Sequence, residues 1–221
     1  MNTPLKVQPL FLTLLLPWAV LASASIVFHN ARQALGADAG YLFGFTFYWL
    51  FWCLLVPRWL LGKANFATIL RDRATLFSRP NWLAALLWLA VILTAIFLYA
   101  GEFLRAPLPL ILLAVPLATL NGFCEEMLWR GLYVRLFPHN PWLAILYPSL
   151  GFALWHLAPQ VVFPAENIIG FVISTFFLAL PYGYIAYSTG SARWTAVSHS
   201  LSGILALSGY LAPSVLALMK F

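Results

Sequence analysis

Residues 107–130, "PLPLILLAVPLATLNGFCEEMLWR", run from Pro107 to Cys124 without a charge and then set two glutamates side by side. A helix needs roughly 20 apolar residues to cross the hydrocarbon core of a bilayer. At that depth only helices and closed barrels satisfy their own backbone groups. The run shows no period-2 alternation, so it predicts a transmembrane helix over 107–127 that carries Glu125 and Glu126 at its end.

Six further runs of similar length lie on either side, at 8–28, 41–61, 82–101, 142–160, 167–187 and 195–218. The chain is 63% hydrophobic and 8% charged, whereas a soluble domain carries about 25% charged residues. A soluble globular domain is therefore excluded. The expectation is an all-α polytopic membrane helix bundle of about seven transmembrane helices, forming one integral membrane domain over 1–221. No soluble domain, repeat or low-complexity segment interrupts it. The partner this implies is the lipid bilayer and not nucleic acid, because the placement of the cations accounts for the net charge of +6.

With the amino terminus in the cytoplasm, that side holds Lys6, Arg58, Lys63, Arg71, Arg73, Arg79, Arg130, Arg135 and Arg193. The far side holds Arg32, Arg105 and Lys220. This asymmetry follows the positive-inside bias. Cys53 and Cys124 both lie in apolar runs and imply no disulfide framework. Ala22-Ser23-Ala24 resembles a signal-peptidase site, but Lys6 alone makes a weak n-region, which favours an anchor over a cleaved leader. Gly36, Gly40 and Gly44 fit either a small-residue helix contact or a glycine-rich connection. Pro17, Pro116 and Pro181 are expected to kink or break their helices.

An ionisable side chain at membrane depth costs about 2.5–3.5 kcal/mol on insertion scales, so such groups are paired or functional. In the later spans these are Glu125, Glu126, Arg130, His156 and His199. Glu126 and Arg130 are spaced i,i+4 in the favourable order. Glu125 points about 100° away on the helix, toward a different neighbour, for which His156 on the next span is the expectation. Taken singly, each has a structural alternative: an interfacial ion pair at the helix end, a packing histidine, or a polar residue in a small-residue interface. Together they lie on three spans that a bundle can bring into convergence. A carboxylate beside an imidazole can take a proton from water and return it to a leaving amine. A second histidine can donate to a developing oxyanion.

"EEMLWR" reads as E-E-x-x-x-R, "FALWH" as F-x-x-x-H, and "HSLSG" as the start of H-x-x-x-(N/D). In that order, over roughly 107–210, the chain resembles the CAAX protease and bacteriocin-processing (CPBP) family of intramembrane endopeptidases. The resemblance implies Glu125 as the residue that activates water with help from His156. It also implies Glu126 and Arg130 as a supporting ion pair, and His199 as the oxyanion stabiliser. It further implies a peptide or membrane-protein substrate and a multi-pass protein of a bacterial inner membrane. No cofactor is needed if the glutamate does the chemistry. H-E-x-x-H is absent, yet Glu125, His156 and His199 could hold Zn²⁺. One position departs from the pattern: Gly203 stands where the family has Asn or Asp, leaving Ser202 or Asn121 as substitutes in the pocket. Two other readings use the same residues, a peptide-binding immunity protein without catalysis and a small proton-coupled transporter. The latter is disfavoured by the lack of an internal repeat.

Overall fold

The computed structural model describes residues 7–219, with side chains from residue 11 onward; Lys6 and Lys220 lie outside the described residues. The described chain is helical and contains no strand. The helices are α1 (Val7–Leu35), α2 (Ala37–Phe47), α3 (Val56–Ala67), α4 (Trp82–Phe103), α5 (Leu108–Glu126), α6 (Tyr133–Leu136), α7 (Tyr147–Trp155), α8 (Ile168–Thr189), α9 (Arg193–Leu205) and α10 (Leu211–Leu218). Wide π-helical turns at Tyr48–Leu55 and Met127–Leu132 join α2 to α3 and α5 to α6 without a break.

Five of the resulting rods are long and apolar enough to cross a membrane: Phe11–Leu35, Ala37–Ala67, Arg79–Phe103, Leu108–Leu136 and Ile168–Thr189. The outward faces of the bundle carry large apolar side chains such as Phe97, Leu104 and Trp59, as a lipid-facing surface requires. The expected all-α polytopic membrane bundle is thus observed, and the protein is an integral, multi-pass membrane protein. The expected spans at 142–160 and 195–218 are each assembled from shorter pieces. The first is a wide turn at Trp142–Leu146, α7, and a 3₁₀ turn at Pro159–Val161. The second is α9 and α10, separated by a turn in which Leu207, Ser208 and Gly209 all take positive φ.

The glycine series divides between its two readings. Gly36 has φ +83° and makes the turn between α1 and α2, a conformation that costs other residues steric strain. Gly40 and Gly44 let α2 lie directly on α1: a Cβ at 40 would stand 2.7 Å from the Arg32 Cα, and one at 44 would overlap the Phe28 ring. Pro17, Pro116 and Pro181 sit inside helices that continue past them.

Two differences concern the charged stretch itself. The helix does not end at Glu126. It continues through the wide turn and α6 to Leu136, about 15 Å further at 1.5 Å per residue. Arg130, expected among the cytoplasmic charges, lies inside this extension and is only 1% exposed. The remaining charges separate by end of the bundle. At one end Arg135 donates to the carbonyls of Thr68 and Arg71, Arg193 pairs with Asp72, and Arg73 packs against Gly190. At the other end Arg32 donates to the Val161 carbonyl at 2.7 Å.

Candidate active site

The site depends on how closely α5 and α9 approach. A Cβ on Gly122 would stand 2.7 Å from the Ser200 backbone nitrogen, and one on Gly203 would stand 3.1 Å from the Ala118 Cβ. Two glycines, one on each helix, therefore bring the backbones together over two turns. This contact delivers His199 to the glutamates. It also gives Gly203 a packing role where the resemblance expects a polar side chain.

Glu125 and Glu126 are 2% and 0% exposed. Their carboxylates diverge, as expected for neighbours on a helix. Glu126 Oε1 accepts from Arg130 Nη1 at 2.9 Å, and His199 Nδ1 lies 3.0 Å from the same oxygen. Arg130 is boxed in. Its guanidinium lies 4.4 Å from the centre of the Phe152 ring and 5.4 Å from that of Tyr182, and Nη2 reaches the Ala179 carbonyl. Cation–π contact of this kind is worth more in a desolvated setting. The first residue of F-x-x-x-H thus serves as the lid on the ion pair.

Glu125 is held on both oxygens. Oε1 accepts from Trp155 Nε1 at 2.9 Å, and Oε2 accepts from Asn121 Nδ2 at 3.3 Å. His199 Nε2 stands 3.4 Å from Oε2. The imidazole of His199 therefore bridges the two glutamates.

The expected Glu125–His156 pair is not formed. His156 caps the end of α7, and its Nδ1 lies 2.7 Å from the Phe152 carbonyl oxygen. The reason is helical: at the last turn of α7 the side chain is in reach of the carbonyl four residues back. The preceding residue, Trp155, takes the place beside Glu125. His156 nonetheless lines the same cavity as Glu125 and Asn121, a space of about 200 Å³ walled by Tyr41, Phe45 and Phe163. His199 is not among the lining residues, and neither is Ser202, which lies one turn further along α9.

Sequence reasoning missed the aromatic support of this site. Trp155 stacks on Tyr48 with ring centres 3.5 Å apart, Trp129 Nε1 donates to the Tyr48 hydroxyl at 2.7 Å, and Trp49 Nε1 donates to Asn121 Oδ1 at 2.9 Å. The last bond fixes which way the Asn121 amide faces. Nothing in an apolar run marks one tryptophan as a hydrogen-bond donor, because the composition reads equally well as interfacial anchoring.

Among the described residues no three His, Cys, Asp or Glu side chains converge as a metal ion requires. Glu125 and His199 are close, but the three residues expected for Zn²⁺, Glu125, His156 and His199, are not gathered into one ligand set among the described residues.

Residues 106–205 match the family model described as type II CAAX prenyl endopeptidase, Rce1-like. The match agrees with the resemblance read from E-E-x-x-x-R and F-x-x-x-H, and it covers α5 through α9, the helices that supply Glu125, Glu126, Arg130, His156 and His199. In general terms it supports an intramembrane protease of the CAAX type acting on a peptide or protein substrate in the bilayer. No curated protein and no solved structure matches the chain.

Proposed function

We propose that the protein is an intramembrane endopeptidase that hydrolyses a peptide bond of a membrane-associated substrate with water activated by Glu125. The observation that carries the proposal is the Glu125 carboxylate. It is buried, held by Trp155, Asn121 and His199, and set at the wall of a cavity that also holds His156. A base fixed on both oxygens cannot swing away from a bound water, and positioning of this kind lowers the entropic part of the barrier.

The residues divide the work as follows. Glu125 takes a proton from a water in the cavity while the water oxygen attacks the scissile carbonyl. His156, on the cavity wall, gives its Nδ1–H to the Phe152 carbonyl, which leaves Nε2 to accept from the attacking water and orient it. As the C–N bond breaks, Glu125 returns the proton to the leaving amine. No covalent enzyme intermediate forms. His199 holds Glu125 in place and links it to the Glu126–Arg130 pair, a role that differs from the oxyanion donor implied by the resemblance. Asn121 orients Glu125 from the helical turn before it. Bacterial cytoplasmic membrane is the proposed location, with the arginine-rich end inside.

The test compares protein termini in membranes of cells carrying the wild type or Glu125→Ala. New carboxy termini that vanish with the variant are expected. Termini that persist unchanged in Glu125→Ala would sink the assignment. Retained protection against a bacteriocin without any cleavage would turn the reading to a peptide-binding immunity protein.

A further inference from the structure

The geometry points to a substrate that reaches Glu125 from the face of the membrane opposite the arginine-rich end, so that the bond cut belongs to an exported or non-cytoplasmic segment. The choice of substrate class rests on the peptidase reading above; the side of access does not.

Three observations carry it. The first is that the arginine-rich end is closed. Every residue from 128 to 134 is buried, so the extension of α5 beyond the glutamates is wrapped on all sides. At that end Ile69 packs against Gly131, and Arg135 ties residues 68–71 over the top.

The second is the location of the cavity walls. Tyr41 belongs to the first turns of α2, Gln160 to the turn after α7, Ala165 to the segment before α8, and Tyr210 to the turn after α9. All are at the end where Arg32 donates to Val161. The most exposed lining residues are Tyr210, at 48%, and Phe171, at 39%, so the mouth lies between the α9–α10 turn and the first turn of α8. The acidic residues sort the same way. Asp38, Glu102 and Glu166 stand at this end, and Asp72 alone faces the arginines. A cytoplasmic arginine end places the mouth on the far side.

The third is the chemistry inside. Among the described residues that line the cavity, Glu125 and His156 are the only carboxyl and imidazole groups, and the remaining walls are aromatic or apolar apart from the side chains of Asn121, Gln160 and Ser208. One of these is Gln160. Its Oε1 accepts from the Ala165 backbone N–H at 3.1 Å, which fixes the amide, and its buried Nε2 has no partner among the described residues. A buried donor without an acceptor is costly. The cavity thus suits an extended peptide with small or apolar uncharged side chains at the bond.

The experiment is single-cysteine labelling with a membrane-impermeant maleimide on the full-length protein in right-side-out and inside-out membrane vesicles. The native Cys53 and Cys124 are buried, and the parent protein sets the background. Tyr210→Cys, Glu166→Cys and the cavity reporter Ala165→Cys should label in right-side-out vesicles and lose labelling in inside-out ones, with Thr75→Cys showing the opposite. Tyr210 and Glu166 are exposed, which keeps the test valid if Ala165→Cys fails to fold. Labelling of the cavity positions from the Thr75 side overturns the inference. The Glu125-dependent termini supply the second arm. Their position on non-cytoplasmic segments supports the inference, and their position on cytoplasmic segments overturns it while leaving the peptidase intact. If no terminus depends on Glu125, the peptidase reading fails and the labelling pattern still decides the side of access.

Discussion

At the residue scale the two glutamates differ in what they hold. Glu126 anchors Arg130, which is fully buried, so Glu126→Gln strips a buried guanidinium of its counter-charge. Removing one partner of a buried pair typically costs about 3–5 kcal/mol. Glu126→Gln should therefore lower thermal stability in detergent sharply, and activity with it. Glu125→Gln should leave the fold near wild type, because the Gln side chain keeps an acceptor for Trp155. It should abolish cleavage, since a general base contributes about 10²–10⁴-fold. Circular dichroism melts beside a cleavage assay separate the two; equal loss of stability would refute the division of roles.

Trp155 gives a second test at this scale. Trp155→Phe keeps an aromatic ring against Tyr48 and removes only the N–H that Glu125 accepts. A hydrogen bond to a charged group is worth about 1.5–3 kcal/mol. The expected result is a fall in kcat of one to two orders of magnitude with little change in KM, and unchanged kcat would refute the positioning role. The spacing of E-E-x-x-x-R made the Glu126–Arg130 pair legible, since i,i+4 contacts are local. Trp155 was illegible because its role depends on the rotation of α7 against α5, which no local pattern encodes.

At the element scale the controlling feature is the α5–α9 contact. Gly122→Ala would drive a methyl into the Ser200 backbone, an obstacle that cannot rotate away. Overpacking of this kind costs about 1–3 kcal/mol, and here it also lifts His199 away from Glu125 and Glu126. Loss of both stability and cleavage is expected. Gly203→Asn restores the residue type of the family pattern, yet its Cβ would press on Ala118 at 3.1 Å. It should reduce stability and give no gain in cleavage; a more active Gly203→Asn enzyme would show that the position acts in chemistry and not in packing. Most rods were legible as apolar runs. The junctions were not, because an apolar helix that continues through a wide turn, as at Met127–Leu132, has the same composition as one that stops.

At the scale of the whole molecule, Asp72 joins distant parts of the chain. Its carboxylate accepts from Ser191 Oγ at 2.6 Å and Trp194 Nε1 at 2.9 Å, and pairs with Arg193 at 2.7 Å. This ties the long polar connection 68–81 to the start of α9, the helix that carries His199. Asp72→Ala should destabilise by about 1–3 kcal/mol, mostly through Ser191 and Trp194. Arg193 is 47% exposed and contributes little to that total. Faster proteolysis within 68–81 in detergent is the accompanying sign, and an unchanged digestion rate would count against the tie.

The sequence by itself determined that this chain is helical and lives in a bilayer, because hydropathy and run length are sums over neighbouring residues. It also determined which few polar groups had to justify their presence in that medium, and it paired Glu126 with Arg130. Only the tertiary structure decided that His199 and not His156 stands between the glutamates, that Trp155 holds Glu125, and that the cavity opens away from the arginines. Those outcomes depend on how far each helix is rotated and how closely it packs. Such quantities are set by contacts such as Gly122 on Ser200, between residues far apart in the chain.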